Sequence, residues 1–243
     1  MIFTYILYFF FYSAVGWLME SLACSSAQKR WINRGFLTGP MCPIYGTGAV
    51  ALSVLLTPLR AHPLLVCILG MVITDVVELI TGILMEKLFH TRWWDYSNRK
   101  YNFMGHICLR NTLYWGIATL GFMYLVHPFF ALLLGKIPPL AIKIIVILIL
   151  IIFVLDLIHA FLAAADFRKI SDALQKLYDK FKSGEEQEES KELFENTLED
   201  IRDSKKYQHN PGRILRINPR IDNEIRRILR DIKRILSDQD ERY

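Results

Sequence analysis

Apolar runs long enough to cross a bilayer recur along this chain up to about Ala165 and thin out sharply after it. A hydrocarbon core about 30 Å thick takes roughly 20 apolar residues of helix to cross, and the runs predict five such spans: Ile2–Cys24, Gly39–Thr57, Leu64–Phe89, Cys108–Phe130 and Leu140–Ala165. The expected fold is all-α: a polytopic membrane domain over residues 1–165, with a helical tail over residues 166–243. The first run has no basic residues ahead of it, and Glu20 interrupts its apolar end, so it reads as a retained span rather than a secretory signal. The four cysteines lie in or at the ends of spans with no CxxC spacing, which predicts buried reduced thiols.

Orientation follows from lysine and arginine in the short loops. Lys29, Arg30 and Arg34 follow the first run; Arg92, Arg99 and Lys100 follow the third; the opposite side has Arg60 and Lys136. This asymmetry predicts an outside N-terminus, with both polar loops and the tail in the cytoplasm.

"GWLME" at Gly16–Glu20 is echoed by "GILME" at Gly82–Glu86, and the same offset of 66 residues lays Gly39 on Gly105 and Cys42 on Cys108. Residues 1–60 and 64–132 therefore read as two copies of one helical hairpin sharing an orientation, with the fifth span outside the repeat.

Ionisable residues within spans are costly and usually face a protein interior. Here they are Glu20, Asp75, Glu78, Asp156 and His159, with Glu86 near a span end. Asp75 and Glu78, like Asp156 and His159, are three apart and share a helix face. Asn33 and Arg34 precede the second span, Arg110 and Asn111 open the fourth, and the loop between the third and fourth holds Arg92, Trp93, Trp94, Asp95, Tyr96, Asn102 and His106. The tryptophans and tyrosine suit a membrane-interface belt. That does not explain the polar groups among them, so these residues are also candidates for binding a solute.

The most constrained backbone is "WINRGFLTGPMCPIYGTG", Trp31–Gly48. Gly35, Gly39, Gly46 and Gly48 permit close approach, Gly105 stands at the place of Gly39 in the second copy, and Pro40 suits a first helical turn. Such a span start, with Arg34 beside it, could receive an anion, or the small residues could serve helix packing while Arg34 reaches lipid phosphates. Glu20, Glu78, Glu86, Asp95, His106 and His159 are metal-ligand types without HxH or HExxH spacing, and no GxxxxGK phosphate loop occurs.

After residue 165 the chain carries 18 Lys and Arg against 18 Asp and Glu, but segregated: "GEEQEESKELFENTLEDIRD" is acidic, and the stretch from Lys205 to Arg234 is basic. Ile170, Leu174, Leu177 and Phe181 form one apolar stripe; Ile221, Ile225, Ile228, Ile232 and Ile235 form another. Three helices are expected, broken at Pro211-Gly212 and Pro219. The basic helix could pack on the acidic one, on a partner or on anionic lipid; nucleic-acid binding is not expected.

The motifs "GWLME", "NRGFLTGPMCPIYGTG" and "WWDYSNRKYNFMGHICLRNTLYWG" resemble the CmpB-like family of ABC-transporter type IV proteins over roughly Tyr5–Trp115. The resemblance implies a bacterial cytoplasmic-membrane protein. It points to Gly16, Trp17, Glu20, Asn33, Arg34, Gly35, Gly39, Pro40, Tyr45, Gly46, Glu86, Trp94, Asp95, Tyr96, Asn102 and Gly105. Three functions stay open. One is a permease-like component binding an anionic or amphiphilic solute from the cytoplasmic side, with a separate ATPase, another membrane partner or further copies of itself (a homo-oligomer) as candidate partners. The second is a membrane enzyme acting on lipid head groups. The third is an accessory scaffold subunit. Cofactors and catalytic residues are unassigned.

Overall fold

The computed structural model describes residues 2–89, 92–183, 194, 196, 225–232 and 234. Helix α1 spans Ile2–Gln28 and ends where Lys29 turns to φ 52°. Residues 31–42 form no regular structure. Helix α2, Pro43–Leu56, runs into a 3-10 turn at Thr57–Leu59. Helix α3, Pro63–Phe89, leads to a two-stranded hairpin of β1, Asn102–Phe103, and β2, Ile107–Cys108. Helix α4, Leu109–Gly121, passes through a π-helical turn at Phe122–Val126 into α5, His127–Leu134. Helix α6 runs from Pro139 to Ser183.

Among the described residues, four helices are long and apolar enough to cross a membrane: Ile2–Ala27, Pro63–Leu88, Leu109–Leu134 and Pro139–Ala165. The second expected span is shorter than the sequence suggests. Its helix begins at Pro43, not near Pro40, because Cys42 is extended (φ −120°) and caps the start. The 14 helical residues rise only about 21 Å, short of a 30 Å core. The fold is also not purely helical, because the loop after α3 folds back on itself. Asn102 pairs with Cys108 and Phe103 with Ile107 across a three-residue turn, Met104, Gly105 and His106, in which Met104 (φ 54°) and Gly105 (φ 73°) are both left-handed.

α1 packs on α2, α3 on α4, and α2 on α3. The approaches are close at small residues: a Cβ on Gly16 would enter the Tyr45 ring, and one on Gly46 would meet Ser13 and the Phe9 carbonyl. The π turn has a covalent cause. Pro128 has no N–H for the helical ladder, and the His127 N–H reaches back five residues to the Phe122 carbonyl. The Arg60 guanidinium donates to the Met123 carbonyl in that turn, the Tyr124 hydroxyl donates to the Arg60 carbonyl at 2.7 Å, and Tyr12 bonds His127 Nδ1 at 3.0 Å.

The chain divides into two compact units, Met1–Asp156 and Leu157–Tyr243. In the second, Leu177, Phe194 and Ile232 form a buried cluster flanked by Tyr178, Ile228 and Leu229, so parts of the two tail stripes pack together. Most of the acidic stretch, Pro211-Gly212, Pro219, Ile221 and Ile235 lie outside the described residues, as do the side chains of Ile170 and Phe181.

Candidate functional site

Most of the irregular segment after α1 is tied down by side chains. The Ile32 N–H donates to Ser25 Oγ at 2.9 Å and the Arg34 N–H to Ser21 Oγ at 3.2 Å. Asn33 Oδ1 accepts the Trp17 indole N–H at 2.7 Å and the Gly35 N–H at 3.0 Å, while its amide donates to the Thr38 carbonyl at 3.2 Å. Asp156 accepts the Thr38 N–H on one oxygen at 2.9 Å and the Gly39 N–H on the other at 2.8 Å. The Cys42 N–H closes the segment on the Ser13 carbonyl at 2.9 Å. The donors that Asp156 takes lie in the loop ahead of α2 rather than at the start of its helix, and the anion they hold is a carboxylate of this same chain. Asn33, Gly35, Gly39 and Asp156 shape the loop; Pro40 is exposed.

Below this loop, acids, aromatics and one cation converge from four elements. Glu78 on α3 is 7% exposed. Its Oε1 accepts the Tyr96 hydroxyl at 3.2 Å and its Oε2 the Trp115 indole N–H at 3.3 Å. Glu20 on α1 lies 3.9 Å from the Cys42 thiol. The Arg34 guanidinium donates to the Trp93 carbonyl at 3.4 Å, and its charge acts on Glu20 and Cys42. The Tyr45 hydroxyl is within electrostatic range of Glu20, Cys42, Tyr96 and Glu78, and its ring stands edge-on to Trp115, 6.1 Å away. One helical turn from Glu78, Asp75 Oδ2 accepts the Thr112 hydroxyl at 2.6 Å while its buried Oδ1 has no hydrogen-bond partner.

Two groups outside the spanning helices report on this environment. Burial pushes the Cys42 thiol up to about 12, with the Glu20 carboxylate adding to the shift and Arg34 opposing it. Burial, and then the Glu78 carboxylate, raise the Tyr96 hydroxyl above the usual tyrosine range, so it remains a donor to Glu78.

A second polar group braces the hairpin. Glu86 at the end of α3 accepts Arg92 Nε on one oxygen at 2.7 Å and pairs with His106 Nε2 through the other at 2.9 Å; Arg92 also lies 3.5 Å from Asp95. Asp95 accepts the Ser97 N–H at 2.9 Å, Asn102 accepts the Gly105 N–H at 3.1 Å, and Trp94 donates to the His106 carbonyl at 2.8 Å. The His106 ring is 3% exposed and rests on Gly82, so it acts as a latch between hairpin and helix.

The expected site residues thus fall into separate groups. Glu20, Arg34, Glu78 and Tyr96 come together; Glu86, Asp95 and His106 form the brace, within which Trp94, Asn102 and Gly105 hold the hairpin. Arg110 is exposed and lies over the Tyr114 ring, 5.5 Å from its centre. Asn111 is half-buried in the first turn of α4, and His159 belongs to the second unit. Sequence reasoning passed over Ser21 and Ser25, whose signal is two hydroxyls one turn apart near the end of α1. It also passed over Thr112 and Trp115, which read as ordinary span residues. Among the described residues, no three His, Cys, Asp or Glu are placed to hold a metal ion.

Residues 7–161 match the protein family described as "Putative ABC-transporter type IV". Comparison with curated proteins gave no match, and neither did comparison with solved structures.

Proposed function

The chain belongs to that family, and on this premise we propose that it is a permease-like membrane component whose solute site is the acid–aromatic cluster around Glu78. The observation that carries the reading is the Glu78 carboxyl, within a spanning helix, held on both oxygens by neutral donors from two other elements. A lone ionised carboxylate at a helix centre costs about 2.5–3.5 kcal/mol even on lenient insertion scales, so such groups mark functional interiors. Glu20, Arg34 and Cys42 supply further polar groups beside it, and Tyr45 and Trp115 supply ring faces. That mixture suits an amphiphilic solute, its polar head on Arg34 and the carboxyls and its apolar part on the rings.

In the proposed topology α2 and its 3-10 turn form a fifth, short crossing. Irregular backbone is tolerated at membrane depth where protein satisfies it, and the loop bonds from Ser13, Ser21, Ser25, Asn33 and Asp156 do so. The loops after α1 and α3 face the cytoplasm, by their lysines and arginines. The family description as an ABC-transporter type supports a separate ATPase as the energy source, docked in this proposal on the cytoplasmic side. The duplication is part of the proposal: Cys42 and Cys108, matched by the offset, each cap a returning helix in extended conformation.

The test pairs Glu78→Gln with Arg34→Lys. Both should insert and keep a thermal midpoint within a few degrees of wild type, yet fail to restore the growth phenotype of a deletion strain. Full complementation by both, with normal expression, would overturn the assignment of this cluster.

A further inference from the structure

The hairpin between α3 and α4 carries a feature that the solute site does not use. Tyr101, just ahead of β1, Phe103 in β1 and Met104 in the turn are 80%, 56% and 59% exposed and form its exposed edge. Tyr101 (φ 53°) and Met104 (φ 54°) are non-glycine residues in left-handed backbone, a costly conformation that persists where the surroundings over-determine it. Those surroundings are rigid. Asn102 donates to the Ser97 and Arg99 carbonyls at 3.2 and 2.8 Å, the Tyr96 N–H bonds the Gly105 carbonyl at 2.7 Å, and the Leu109 N–H bonds the Tyr101 carbonyl at 3.1 Å. The two tryptophans that the sequence offers as an interface belt are used elsewhere. Trp94 donates to the His106 carbonyl, and Trp93 stands edge-on to Phe36 at 5.7 Å. The exposed apolar side chains of this loop are instead Tyr101, Phe103 and Met104.

Charge beside this edge has one sign. Arg99 and Lys100 are exposed next to Tyr101, while Asp95, the nearest acid in the loop, is half-buried with Arg92 against it. The hairpin joins two helices long enough to span a membrane, so it emerges at a bilayer surface. We propose that this exposed edge of the loop, from Arg99 to Met104, is a lipid anchor: Tyr101, Phe103 and Met104 enter the head-group layer, and Arg99 and Lys100 pair with anionic phosphates. A rigid loop presenting aromatic and Met side chains beside two cations matches that interface in polarity and charge.

The test uses the full chain with Phe103→p-benzoylphenylalanine, reconstituted in vesicles of phosphatidylcholine alone or mixed with phosphatidylglycerol, and irradiated. Mass spectrometry should find lipid adducts enriched at least about fivefold for phosphatidylglycerol over its share of the mixture. Arg99→Gln with Lys100→Gln should abolish the enrichment while leaving adducts with neutral lipid. A second readout guards against misfolding: the thermal midpoint of the unlabelled chain should be higher in the mixed vesicles, and the double variant should lose that difference. Adducts without phosphatidylglycerol enrichment would overturn the charge pairing. Absence of lipid adducts, or adducts to a protein in native membranes, would make this edge a protein-docking surface and overturn the anchor.

Discussion

Replacing Asp156 tests how the chain keeps irregular backbone beside its helices. The carboxylate takes the Thr38 N–H at 2.9 Å and the Gly39 N–H at 2.8 Å, one on each oxygen. Hydrogen bonds to a charged group contribute about 1.5–3 kcal/mol each. Thr38 is exposed, so water replaces part of what Asp156→Ala removes there. The half-buried Gly39 N–H has less access to water. The net loss should be about 2–3 kcal/mol, and at roughly 2–4 °C per kcal/mol for a unit of this size the thermal midpoint should fall by roughly 4–12 °C. Asp156→Asn keeps one acceptor oxygen and turns an amide toward the other N–H, so it should lose about half as much.

A double-mutant cycle separates the latch that Asp156 forms on the Thr38 and Gly39 N–H groups from general destabilisation. A Cβ on Gly39 would stand 3.1 Å from Asp156 Oδ2, tight enough to push the carboxylate by a few tenths of an ångström. Gly39→Ala should therefore destabilise the wild type and cost little once Asp156 is alanine, leaving a coupling of at least about 0.5 kcal/mol. Thermal unfolding in detergent, followed by fluorescence-detected size exclusion, measures all four corners. Additive effects, or a midpoint within a degree of wild type for Asp156→Ala, would refute the latch.

Two further outcomes follow from burial. Cys42, buried and with its thiol pushed up to about 12, should resist maleimide at pH 8 while the half-buried Cys24 and Cys67 react; intact-mass kinetics check this, and labelling of Cys42 alongside the other two would count against it. Gly46→Val should abolish the folded monodisperse peak because its Cβ meets Ser13 and the Phe9 carbonyl, whereas Gly48→Val, with nothing within 4 Å, should express normally.

What the sequence discloses here follows the strength of the physics behind each pattern. Spans of 26–27 apolar residues are legible because the bilayer sets their length. The second span misleads because hydropathy counts residues 39–42 as apolar, while their backbone is fixed by Ser13 and Asp156, the latter more than a hundred positions away. The same distance in sequence hides the partners of Glu78. A single carboxylate in a span signals a buried site, but Tyr96 and Trp115 carry no mark that they are its donors. The hairpin is missed for another reason: two residue pairs are too short to show an alternating pattern, and its turn places Met104 where glycine or asparagine would be the usual signal.

On the proposed duplication, the two hairpins diverge at the acid that heads each loop. Glu20 and Glu86 share the offset, but their neighbours do not. Glu20 sits by a neutral thiol and the charge of Arg34. Glu86 is spread between Arg92 and His106, at 2.7 and 2.9 Å. One copy thus keeps its carboxyl beside a thiol and the Arg34 charge, with Glu78 within electrostatic range. The other commits its carboxyl to two fixed partners and so stiffens the loop that delivers Tyr96 to Glu78. The second acid would then serve the site by positioning, at one remove. Glu86→Gln weakens both pairs without removing Tyr96, so on this reasoning it should loosen the hairpin and impair function in part, while Glu78→Gln impairs it fully.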